Sequence, residues 1–88
     1  HGEEVRNPSR FVPQLLAHRR LRETSILESV REGVETIPDL VAKLYRGLDP
    51  RLHGAAGLSV FAHLEDLVSR GLVQAAPALS LTAKFSSL

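Results

Sequence analysis

The side chains in this sequence that could do chemistry are few and scattered. The densest group is His18-Arg19-Arg20-Leu21-Arg22, four basic residues in five positions. At helical spacing these wrap most of the circumference, so they suit a solvated helix segment, docking on an acidic neighbour, or a grip on a substrate phosphate. On the last two readings His18, Arg19 and Arg22 are the candidate docking or phosphate residues. The histidines His1, His18, His53 and His63 form no H-x-x-x-H or H-x-H pair, and there is no cysteine. Without such spacing no local ligand set for a metal exists. The serines stand in no G-x-S-x-G turn, and no Gly-rich loop is present to cradle phosphate. The chain by itself reads as non-catalytic, with no cofactor of its own.

At 88 residues, 43% hydrophobic and 24% charged, the sequence describes one ordinary globular domain and neither a disordered nor a fibrous chain. No apolar run approaches the roughly 18 residues of a transmembrane helix, and no signal-peptide pattern is present. The absence of cysteine suits a reducing, cytoplasmic setting. Net charge is only +1, but it is unevenly spread. Residues 1–22 hold five Arg against Glu3 and Glu4, a net +3, whereas residues 23–88 hold six basic and eight acidic groups, a net −2. The positive charge sits on the leading segment.

Helical composition predicts a first helix from about Phe11, with Pro13 limiting its start and Gly33 its end. On a helical wheel Phe11, Val12, Leu15, Ile26 and Val30 share a face, with Leu16 and Leu27 at its edge and Arg19, Arg22 and Glu23 in its middle. Either the arginine stems snorkel along one core, or the two ends face different bodies. In the second case Ile26, Leu27 and Val30 enter this domain's core, while Phe11, Val12, Leu15 and Leu16 form an interface with something outside it. Val34–Ile37 reads as a short strand. Thr36 then caps a second helix with Pro38 in its first turn and Leu40, Val41 and Leu44 as its apolar stripe. Asp49-Pro50 opens a third helix running to Arg70 before Gly71, with Ala56, Val60, Phe61, Leu64, Leu67 and Val68 inward. Alternation over Leu72–Ala75 and Leu79–Thr82 predicts a hairpin. The fold class is mainly α with a small β-hairpin: a winged helix-turn-helix preceded by an N-terminal helical extension.

A winged helix raises the prospect of DNA binding through the third helix. Its outward residues, Arg51, Ala55, Leu58, Ser59, Ala62, Glu65, Asp66, Ser69 and Arg70, carry no net charge, and the expected hairpin tip, Ala75-Ala76-Pro77-Ala78, has no basic residue. Phosphate neutralisation dominates DNA affinity, so the sequence argues against that partner. A small winged-helix DNA-binding regulator stays as the alternative reading. A homodimer through the Leu58/Ala62 face is a third.

Several stretches together resemble a known family: Leu16-Ala17-His18-Arg19-Arg20-Leu21-Arg22-Glu23, Thr36-Ile37-Pro38-Asp39-Leu40-Val41, Leu48-Asp49-Pro50-Arg51-Leu52-His53 and Val60-Phe61-Ala62-His63-Leu64-Glu65-Asp66-Leu67-Val68. The chain is similar to the C-terminal winged-helix domain of metallo-β-lactamase-fold hydrolases of the β-lactamase-like protein 2 type. The resemblance implies a parent with zinc in a preceding catalytic domain, whose tail would occupy residues 1–10, with the winged helix at 11–88. It implies that His1, in His1-Gly2, is the last metal ligand of that parent, set apart here from its partners. It also implies that the first helix docks in cis on the catalytic domain, and that the chain is an accessory domain shaping the cleft.

Overall fold

The computed structural model describes the backbone of residues 8–88 and the side chains of residues 19–88. Its elements in chain order are α1 (Pro8–Arg31), α2 (Ile37–Leu44), a 3-10 turn (Pro50–Leu52), α3 (His53–Ser69), β1 (Val73–Ala76) and β2 (Lys84–Ser87). Helices followed by an antiparallel hairpin make a winged helix, as the periodicity predicts.

Local chemistry sets the helix ends. α1 is already helical at Pro8, three residues before the expected Phe11. Pro13 lies within the helix and forgoes one main-chain bond instead of setting the start. α1 and α3 stop in the same way. Gly33 N–H donates to Val30 O and Val34 N–H to Ser29 O, both at 3.0 Å. At the end of α3, Gly71 N–H donates to Val68 O and Leu72 N–H to Leu67 O, again at 3.0 Å. This paired closure needs a left-handed residue, and the φ angles of Gly33 (106°) and Gly71 (77°) supply it. At the other ends, Thr36 Oγ1 accepts from Asp39 N–H at 3.3 Å, and Asp49 Oδ1 accepts from Arg51 N–H at 2.9 Å. Both caps stand where the sequence puts them.

Three expectations are corrected. Val34–Ile37 is not a strand: Val34 N–H closes the end of α1, Thr36 caps α2, and Ile37 begins it. Only the Glu35 carbonyl is left to meet the sheet, accepting from Phe85 N–H at 2.7 Å. The third helix does not run unbroken from 50 to 70, because the Asp49 cap leads first into the 3-10 turn and α3 ends at Ser69. The second hairpin strand is Lys84–Ser87, not Leu79–Thr82. Both segments alternate, but Leu79 and Leu81 stay exposed while Ala83 and Phe85 are buried. Burial of the aromatic ring outweighs the leucine alternation in choosing the register.

In that register Val73 pairs with Ser87, Gln74 with Ser86, Ala75 with Phe85 and Ala76 with Lys84. Val73 and Phe85 face the core, while outward Gln74 Nε2 donates to Ser86 Oγ at 3.1 Å. α1 contributes Ile26 and Val30 to that core, α2 contributes Ile37, Leu40 and Val41, and α3 contributes Ala56, Val60, Leu64 and Leu67. Phe61 and Val68, read as inward, are only partly buried. Ser29 is the buried polar side chain of the described residues, and no buried side-chain polar atom there lacks a hydrogen-bond partner.

A domain of this size has a net stability of roughly 4–13 kcal/mol. Phe85→Ala should therefore remove about 3–5 kcal/mol, a large share of the total, seen as a fall in the urea midpoint. Leu58→Ala, at an exposed site, should stay within about 0.5 kcal/mol of the parent chain. Gly71→Ala should cost about 1–2 kcal/mol by forcing a Cβ into the left-handed region. In thermal melts that is a drop of roughly 4–8 °C per kcal/mol.

Candidate functional site

Two regions gather the side chains of interest: the seam between α1 and the helix pair, and a groove between α2, α3 and the loop that precedes β2.

The seam is built from charge. Arg22 Nη1 donates to the Leu44 carbonyl at 3.3 Å, and its guanidinium lies 4.3 Å from the centroid of the Tyr45 ring. A cation there meets the negative end of α2 and the face of an aromatic ring at once. At the next position, Glu23 receives Arg70 from the end of α3, and His63 Nδ1 lies 3.6 Å from its other oxygen. Arg70 also reaches Asp66 at 3.0 Å. Nearby, Lys43 Nζ reaches Glu32 Oε1 at 2.5 Å and ties α2 to the end of α1. A carboxylate between arginine and histidine has the residue types of an acid–base pair. Here Arg70 neutralises Glu23, and the pair tethers α1 to the end of α3.

The structure therefore places Arg22 against α2 and Tyr45, and Arg19 on the exposed surface. His1 lies outside the described residues. So do the side chains of Phe11, Val12, Leu15, Leu16 and His18, whose backbone belongs to α1. The described residues contain no group of three or more His, Cys, Asp or Glu able to hold a metal ion. No helix among them is long and apolar enough to cross a membrane.

The groove is of a different kind. It encloses about 340 Å³ between Ile37, Pro38 and Val41 of α2, His53, Gly54, Gly57 and Leu58 of α3, and Leu81. Its wall is apolar apart from His53, whose Nε2 donates to the Leu48 carbonyl at 3.1 Å. A Cβ on Gly57 would stand 3.4 Å from Ile37 Cγ2, so a small residue there lets α2 and α3 close at the floor. Leu58 is 60% exposed and Leu81 47%, leaving two large apolar side chains at the rim. At the entry to α3 the Arg51 side chain binds Asp49, at 2.8 Å from Nη2 to Oδ2. That contact, with the Arg51 N–H, holds the Asp49 carboxyl below the usual carboxylate range. The cap is complete at neutral pH, and its contribution is lost as pH falls through that lowered value.

The nine residues read from the sequence as the outward face of the third helix are all exposed, with Arg51 in the 3-10 turn and Arg70 just past the end of α3. The part of Leu81 in the groove wall escaped that reading, because its alternating surroundings suggested a strand. The links of Glu23 to Arg70 and of Arg22 to Leu44 and Tyr45 join residues far apart in the chain, and no spacing rule announces them.

No curated protein matches the chain. Residues 36–78, from the Thr36 cap to the start of the wing, match the beta-lactamase associated winged helix domain family: the chain carries a winged helix of the kind associated with beta-lactamase-fold proteins.

Proposed function

We propose that the chain is the accessory domain of a metallo-β-lactamase-like hydrolase, packing in cis on the catalytic domain and forming one wall of its cleft. The observation that carries this reading is the family match over residues 36–78, since that family is described by its association with beta-lactamase domains. The shape of α1 supports it. Among the described residues the contribution of α1 to the core begins at Ile26, yet its backbone is helical from Pro8. At 1.5 Å per residue, about 27 Å of helix precedes Ile26. Beside that lead lie exposed Arg19 and Arg20, with Leu21 67% exposed between them and the rest of the seam. Arginine with apolar neighbours is a composition that protein interfaces favour.

On this reading Phe11, Val12, Leu15 and Leu16 meet the catalytic domain, and His18 and Arg19 face its cleft or a substrate phosphate. Arg22 holds α1 on α2, so that the lead keeps a fixed direction. The described residues do not make a zinc site, so the metal chemistry belongs to the parent's own domain, with His1 as one ligand by family resemblance. When bound, zinc would supply an activated water there. The cytoplasm is the expected compartment.

The coding sequence upstream of His1 should contain His-x-His-x-Asp-His; a start codon immediately before His1 would refute the proposal. In the longer protein, amide exchange across residues 8–25 should be slower than in the 88-residue chain alone, because docking removes those amides from solvent. Equal exchange in both would count against packing in cis. A gel-shift series on random duplex should show no sub-micromolar binding at low salt. Tight binding with a steep salt slope would favour the DNA-binding regulator instead.

A further inference from the structure

We propose that the outer face of α3 is a self-complementary surface on which two copies of this chain pair antiparallel, about a two-fold axis near Leu58. The inference does not rest on the accessory-domain reading, because it concerns a side of α3 turned away from the seam with α1.

The face has an apolar centre. Leu58 stands out between exposed Ala55 and Ala62, and the groove with Leu81 on its wall opens directly beside it. A closed two-fold interface must meet itself, so a protruding side chain needs a recess beside its own position. Leu58 and its neighbouring groove meet that condition: each copy offers its leucine to the other's recess. Gly54 lines the same recess, where an added Cβ would meet nothing within 4 Å.

Charge chooses the occupant and its direction. Arg51, in the 3-10 turn, and Glu65, two turns along α3, lie seven residues to either side of Leu58, and both are exposed. The cation therefore stands at one end of the face and the carboxylate at the other. With Leu58 opposite Leu58 in antiparallel helices, position 51 of one copy falls opposite position 65 of its mate, twice over. A parallel pairing would instead set Arg51 on Arg51 and Glu65 on Glu65. Asp49 does not cancel the match: its side chain is 43% exposed against 88% for Arg51, so the guanidinium is the outward member of that pair. Asp49 engages Nε and Nη2, which fixes the planar group while Nη1 stays open to a second carboxylate. At the far end Asp66 is held by Arg70, whereas Glu65 has no ion pair among the described residues. A second copy supplies an unsatisfied cation edge for it. The antiparallel arrangement also opposes the two helix dipoles favourably.

Sedimentation equilibrium of the 88-residue chain between about 1 μM and 1 mM tests the proposal. The expected mass rises with concentration from 9.6 kDa toward twice that value. Leu58→Lys should raise the dissociation constant at least about tenfold. Arg51→Glu or Glu65→Arg alone should weaken pairing by roughly three- to tenfold. The two together should restore it to within about threefold, because the swapped charges meet again. Far-UV circular dichroism checks that each variant keeps its helices; if Leu58→Lys does not, Ala62→Glu on the same exposed face carries the same test. A chain that stays monomeric throughout overturns the proposal. So does a dimer indifferent to these apolar-face variants, or a double charge swap that binds as weakly as the single reversals.

Discussion

The structure depends on the apolar stripe of α3. Ala56, Val60, Leu64 and Leu67 run along one side of the helix, and α1, α2 and β1 all pack onto α3. An 88-residue chain has too little interior for two cores, so one helix serves α1, α2 and β1 together, while β2 packs on α1. Each large apolar side chain buried there contributes about 1.5–3 kcal/mol against the entropy of ordering the chain, and the remainder is small. Without this stripe α2 has nothing to close against and β1 nothing to cover.

Burying one side of α3 leaves the other side in water. That outward side carries alanines, an exposed leucine and a cation and carboxylate at opposite ends, and the basic side chains described on the leading helix lie elsewhere. A surface of this kind gives little to a phosphate backbone and more to another protein surface. The same division appears along α1. Its end joins the core through Ile26 and Val30, and its earlier part extends beyond the first of these. Arg22 and Glu23 mark the changeover, one bound to the end of α2 and the other to the end of α3. The arginines that look alike in the sequence thus divide by position: Arg22 is spent on the domain, and Arg19 is exposed.

The features legible in the sequence were those decided within a few residues. Thr36 and Asp49 cap their helices because a side-chain oxygen two or three positions ahead of an unpaired N–H is a local matter. Gly33 and Gly71 stop theirs because left-handed backbone follows directly from the lack of a Cβ. The buried sides of α2 and α3 followed from helical period, and with them the winged-helix class and the outward face that the dimer proposal uses.

Tertiary structure decided whatever depended on competition between distant groups. Val34–Ile37 has a strand-like composition, but Val34 N–H closes the end of α1 and Thr36 accepts at the start of α2. Leu79–Thr82 and Lys84–Ser87 could each have paired with β1; the second does, which buries Ala83 and Phe85 and leaves Leu79 and Leu81 exposed, so that Leu81 became part of a groove wall. Glu23 found Arg70 only because α1 crosses α3 at that level. Sequence alone determined which segments are helical, the caps at Thr36 and Asp49 and the stops at Gly33 and Gly71, since those energies are local. The fold alone decided the wing register, the groove and the ion pairs of the seam, because each is a choice among partners that chain order does not rank.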